Sequence, residues 1–133
     1  MTMPLKERLT LALLDEYKSR ATYAQVIEKF GPVRPFVNIQ EAENRHIEAL
    51  KRLFTAYQIE IPVDHWPGHL SAPETLKEAC RLAIEAEQDN MIMYDRILAE
   101  TTEADVRRVL EHLQAASRDR HLPAFERCLQ RGA

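Results

Sequence analysis

Apolar residues recur every three or four positions through most of the 133-residue chain, and no stretch alternates in the strand-like way. This pattern predicts four helices. The first runs from about Pro4 to Phe30 and aligns Leu5, Leu9, Ala12, Glu16, Ser19, Tyr23, Val26 and Phe30, with Gly31-Pro32 as its stop. The second runs from about Pro35 to Tyr57 and aligns Phe36, Ile39, Glu43, His46, Leu50, Leu53 and Tyr57. A loop, IEIPVDHWPGHLSAP, follows. Ser71 and Glu74 then read as a capping box, with Pro73 in the first turn of a third helix that reaches about Ala99. Its stripe is Leu76, Cys80, Ala83, Glu87, Met91, Tyr94 and Leu98. Thr102 and Asp105 open the fourth, with Val106, Leu110, Leu113, Ser117, His121, Ala124 and Cys128 inward, and Pro123 is expected to kink it just after His121.

Each stripe carries residues that ordinarily avoid an apolar interior. They are Glu16, Glu43 with His46, Glu87, and His121, whereas Glu41, Arg45, Glu48, Arg52, Glu78, Arg81, Glu85 and Asp89 fall on solvated faces. One inward histidine is ordinarily a hydrogen-bonded core residue, and one inward glutamate an edge residue reaching water. Five such residues, at least one per helix, point instead to a metal site. At ~1.5 Å per residue the three glutamates and His46 lie ~18–23 Å from one end of the bundle, while His121 comes out higher, near ~28 Å. Buried carboxylates repel one another unless neutralised, and a multivalent cation does this. Carboxylate and imidazole donors suit iron, manganese or zinc, and the lack of inward thiolates argues against a soft copper site. The spacing of three between Glu43 and His46 turns both side chains toward one point.

Length and pattern together predict a single all-α domain over residues 1–133, a four-helix bundle. Short first and third links give two antiparallel hairpins. The long middle link spans up to ~46 Å, enough to cross the bundle and permit an up-down-down-up order. Composition narrows the function classes. The chain is 45% hydrophobic and 29% charged with a net charge of −3 and mixed charges along its length, and nothing suggests a nucleic-acid footprint. No run approaches ~18 apolar residues, so no membrane span is expected. The N-terminus does not read as a signal peptide, and a cytoplasmic location is expected. Cys80 and Cys128 are expected as buried reduced thiols. His65, Trp66 and His69 are candidates for a site mouth or a second metal site, but read first as an ordinary loop packed by Trp66. Phe36, Phe54 and Phe125 read as core.

Longer spacings carry a resemblance. Glu16 and Tyr23 are seven apart, as are Glu87 and Tyr94, and the chain reads E-x6-Y, E-x-x-H, E-x6-Y, then a lone His. This resembles the ferritin-like superfamily, above all rubrerythrin-type di-iron carboxylate bundles. The segments DEYKSRATYAQVIEKFG, EAENRHIEALKRLF, EAEQDNMIMYDRIL and RHLPAFERCL also resemble a family of small bacterial and archaeal ferritin-like proteins of undefined function. The resemblance implies Glu16 and Glu87 as terminal ligands, Glu43 as a bridging carboxylate, His46 and His121 as imidazole ligands, and Tyr23 and Tyr94 as hydrogen-bonding supports behind them. It departs at Arg118, where a fourth glutamate is expected; Ser117 is a weak substitute. If Arg118 points inward, it lies beside the metals and limits the positive charge the site holds.

The resemblance further implies a non-haem iron protein, holding one or two ions, with oxidoreductase chemistry of the peroxidase or ferroxidase type. Peroxide, dioxygen or ferrous iron would be its substrates, and a homodimer its assembly. No rubredoxin-like Cys-x-x-Cys module is present, so electrons would come from a separate donor or from iron itself. Two alternatives stay open: a non-catalytic metal-binding or stress-associated bundle, and a metal-free interaction module. No catalytic residue is singled out; Tyr23, Tyr94 and Arg118 are the candidates to lie behind the ligands.

Overall fold

A computed structural model describes residues 2–131, and they form helices and loops with no strand among them. α1 spans Leu5–Phe30, α2 Phe36–Ala56, α3 Leu76–Ala99 and α4 Ala104–Ala116; a π-helical turn, Ser117–His121, then leads into α5, Leu122–Gln130. α1 ends where expected, because Gly31 adopts φ +88°, open to glycine without a steric cost, and Pro32 cannot continue the helix.

Two expected boundaries shift. α3 begins one turn later than the Ser71–Glu74 box would place it. Thr75 is the cap, its Oγ1 accepting from the Glu78 amide at 3.1 Å. Both pairs share the same spacing, and the chain becomes helical only where Leu76 and Ala79 reach apolar partners. In the fourth helix the disturbance precedes Pro123 instead of following His121. Proline lacks an amide hydrogen and its ring crowds the carbonyl four residues earlier, and the widened π turn falls in the segment just before it.

The interior has two apolar clusters. One gathers Leu9 and Leu13 of α1, Ile47, Leu50 and Phe54 of α2, Tyr94 and Ile97 of α3, and Val106, Leu110 and Leu113 of α4. The other gathers Tyr23 and Val26 of α1, Phe36 and Ile39 of α2, Ala79, Cys80 and Ala83 of α3, and Phe125 and Cys128 of α5. The rings of Tyr23, Phe36 and Phe125 pack 5.1–5.7 Å apart within the second. On α1 and α3 a glutamate falls between residues of the two clusters. On α2 Glu43 and His46 do so, and on the fourth helix His121 does. The polar layer is therefore capped by apolar packing at both ends.

The loop after α2 runs along α1. Tyr17 donates to the Pro62 carbonyl, Arg20 pairs with Asp64, and Lys29 donates to the Pro73 carbonyl. Trp66 packs against the first cluster, while His65 and His69 are exposed.

The expectation of reduced cysteines is overturned. Cys80 and Cys128 form a disulfide between α3 and α5, with Cα atoms 6.2 Å apart. The two residues are 48 positions apart, and only the packing of α5 on α3 makes them neighbours.

Candidate metal centre

All five candidate ligands are buried at one level. Their arrangement is close to two-fold. Glu16 on α1 accepts from the Tyr94 hydroxyl of α3 at 3.1 Å; Glu87 on α3 accepts from the Tyr23 hydroxyl of α1 at 2.6 Å. His46 Nδ1 lies 3.5 Å from Glu16 Oε1, and His121 Nδ1 lies 3.3 Å from Glu87 Oε1. Glu43 belongs to both halves, its Oε1 lying 3.5 Å from the Nδ1 of each histidine. The two imidazoles stack, 20° from parallel.

The half made of Glu16, Glu43 and His46 offers donor atoms all within 4.8 Å of one another. His46 Nδ1 is fully buried and has no hydrogen-bond partner among the described residues. A buried ring nitrogen facing two carboxylate oxygens at non-bonding distance is costly in a metal-free interior and natural for a metal ligand. The donor set of three carboxylates and two imidazoles fits iron, manganese or zinc.

Electrostatics give the same picture. Burial, and after it the charge of Glu16, pushes the Glu43 carboxyl well above its ordinary value. Burial also works to raise Glu16, but its hydrogen bond with Glu43 and the contact with His46 outweigh this and hold it below its ordinary value. Two buried carboxyls this close oppose each other's ionisation, and a cation between them would offset that repulsion. Burial, then the charge of a nearby glutamate (Glu87 for Tyr23, Glu16 for Tyr94), holds both tyrosines well above the ordinary phenol value, so they remain donors.

His121 comes level with the other ligands despite its higher position by residue count; it ends the π turn, which packs on α3, and its Nδ1 lies within 3.5 Å of Glu43 and Glu87. Arg118 does not join the centre. Its side chain is exposed and bonds Asp119, turned away from the ligands, so the inward possibility is set aside. Ser117 is the buried residue at this point of the helix. Its hydroxyl donates to Asn90 Oδ1 at 2.7 Å, and Asn90 donates to Asp15 Oδ2 at 2.6 Å. Burial, opposed by the Asn90 bond and assisted by the charges of Glu16 and Glu87, raises the Asp15 carboxyl to about 6.

Sequence reading missed this Asp15–Asn90–Ser117 chain. Its signal was present: Asn90 follows Glu87 by three residues, the spacing that aligned Glu43 with His46. Met91, assigned to the stripe instead, is only half-buried.

No family model matches the chain, and no curated protein matches it. Among solved structures it is similar to a hypothetical protein from Methanococcus jannaschii, with a TM-score of 0.86 and 23% identity over 99% of this chain and 85% of that one. At that identity the likeness concerns the fold alone, an all-helical bundle.

Proposed function

We propose that this chain is a ferritin-like metal-binding protein whose centre holds iron, as one ion or a pair. One observation carries the reading: His46 Nδ1, buried and unpartnered, faces Glu16 and Glu43. Glu16, Glu43 and His46 would hold one ion, and Glu43, Glu87 and His121 a second, with Glu43 between them. The up-down-down-up order is part of the proposal. Its support is that the start of α2, the start of α3 and the end of α5 share the second apolar cluster with the C-terminal half of α1.

When bound, iron would supply redox chemistry toward peroxide, dioxygen or further ferrous iron. The chain's own residues would exclude water with the two apolar clusters and fix the carboxylates through Tyr23 and Tyr94. Electrons would come from a separate donor or from ferrous iron itself. The absence of a fourth carboxylate at the level of Ser117 favours a single ion or an unequal pair over a symmetric one. It also keeps the non-catalytic metal-binding bundle as the second reading.

No helix among the described residues is long and apolar enough to cross a membrane. A disulfide is rare in a reducing cytosol, so a cytoplasmic home goes with the dithiol form of Cys80 and Cys128. A homodimer remains the proposed assembly.

The test is elemental analysis of protein purified from its own host, followed by anaerobic loading with ferrous iron and exposure to dioxygen or peroxide. Bound iron that oxidises with turnover supports the proposal. Bound metal without turnover selects the non-catalytic reading, and no metal under any loading condition selects the metal-free bundle.

A further inference from the structure

Tyr23 and Tyr94 close the centre on the side of α1 and α3. On the other side His46 and His121 line a groove of about 800 Å³ between α2 and the α4–α5 segment. Its two walls are built alike. α2 presents Ala42, Arg45, Ala49 and Arg52; the facing wall presents Ala116, Arg120, Ala124 and Arg127. In both, helical spacing puts small side chains at the bottom and an exposed guanidinium every seven residues along the rim. Arg34, just before α2, and Arg131, just after α5, join at the end shared by Phe36 and Cys128.

Charge makes this groove unlike the rest of the surface. Among the described residues no acidic one lines it, although the chain carries a net charge of −3. None of its six arginines forms an ion pair among the described residues, whereas outside it Arg8, Arg20, Arg81, Arg107 and Arg118 do and only Arg96 and Arg108 do not. Unneutralised guanidinium groups ringing one concavity repel one another and concentrate anions there. Guanidinium forks match the oxygens of phosphate and carboxylate. A second copy of the chain on this face would set arginines against arginines, which argues against self-association here.

We propose that this groove is a binding site for a small organic oxyanion, phosphorylated or polycarboxylated. Its charged end would sit among the rim arginines and its apolar body against Ile39, Leu113 and the alanines. The volume lies within the usual range for small-molecule sites, roughly 300–1,000 Å³. The bound molecule lies against the imidazole side of the candidate centre. Only the significance of that contact for chemistry rests on the metal reading; the anion site does not.

The experiment is calorimetric titration of the full chain, metal-free and iron-loaded, with phenyl phosphate, phthalate, inorganic phosphate and polyglutamate. Phenyl phosphate or phthalate should bind once per chain and more tightly than inorganic phosphate; whichever of the two is tighter identifies the class of headgroup. Arg45→Gln/Arg127→Gln should weaken it at least tenfold, while Arg96→Gln/Arg108→Gln, at unpaired arginines outside the groove, should not. Histidine side-chain NMR of the metal-free protein should show His46 or His121 shifting on binding. Binding by none of the small anions, binding by polyglutamate alone, or equal losses in both double variants would overturn the site. Arginine-dependent binding with neither imidazole shifting would overturn the link to the centre. Glu43→Ala separates the two readings: it should lose metal and keep phenyl phosphate. Anion binding in a wild-type chain that takes up no metal would sink the proposed function and leave the groove standing.

Discussion

His46 and His121 stack with ring centroids 5.6 Å apart, and Glu43 Oε1 lies 3.5 Å from the Nδ1 of each. One carboxylate therefore serves two imidazoles from helices on facing sides of the groove. Glu43→Ala should remove most bound metal from both halves, as measured by elemental analysis after loading. Glu87→Ala should spare the Glu16–Glu43–His46 half. Glu85→Ala breaks only an exposed pair with Arg81 and should change nothing. Loss of metal in Glu85→Ala with retention in Glu87→Ala would refute the assigned face of α3.

The raised Glu43 carboxyl makes a pH prediction for the metal-free chain. A carboxyl with a folded value above its unfolded value of 4.5 binds more protons folded than unfolded, so its ionisation costs stability as pH rises. That cost disappears once pH falls to the ordinary carboxylate range, where the group is protonated in both states. Metal-free Glu43→Gln should therefore melt above the wild type at neutral pH, and the gap should narrow steadily toward pH 4.5. A gap that widened on acidification would show that Glu43 is already ionised at little cost.

Tyr23 donates to Glu87 at 2.6 Å in a fully buried setting. Tyr23→Phe should cost roughly 1.5–3 kcal/mol, typical of a hydrogen bond to a charged group, and weaken metal binding roughly 10–100-fold. Tyr94→Phe, at 3.1 Å from Glu16, should cost less. Urea unfolding of both variants, metal-free and loaded, measures the difference.

Reduction of the Cys80–Cys128 bridge opens a loop of 48 positions. On chain entropy this should cost about 4 kcal/mol. Unfolding midpoints with and without dithiothreitol report it directly, and Cys80→Ala/Cys128→Ala should match the reduced protein.

Arg118→Glu should leave both metal content and melting temperature unchanged, within about 0.5 kcal/mol for a surface site. Its side chain and that of Asp119 are each 58% exposed. A rise in metal stoichiometry would place the new carboxylate in the centre and contradict the observed direction of this side chain.

Local spacing carried the helices to within about a turn and most of each buried face, though on α3 it placed Met91 inward where Asn90 is buried. Helical periodicity is a local property, written in spacings of three and four, so Glu16, Glu43, His46, Glu87 and His121 could be read as inward without knowing any neighbour. The resemblance carried by the E-x6-Y spacings implied which tyrosines accompany them. What the period cannot encode is where two helices meet. Tyr23 reaches Glu87 across 64 residues, and Tyr94 reaches Glu16 across 78. Packing alone sets those distances. The level of His121, the outward turn of Arg118, the burial of Asn90 against Asp15 and Ser117, and the joining of Cys80 to Cys128 likewise come from tertiary structure. So does the groove. Arg45 and Arg52 read along α2 as ordinary solvated charges, and they become one wall of an anion-attracting cleft only when Arg120 and Arg127 are brought opposite them. The reason is physical: one helix's face depends on residues a few positions apart, whereas a site between helices depends on crossing geometry that no single stripe contains.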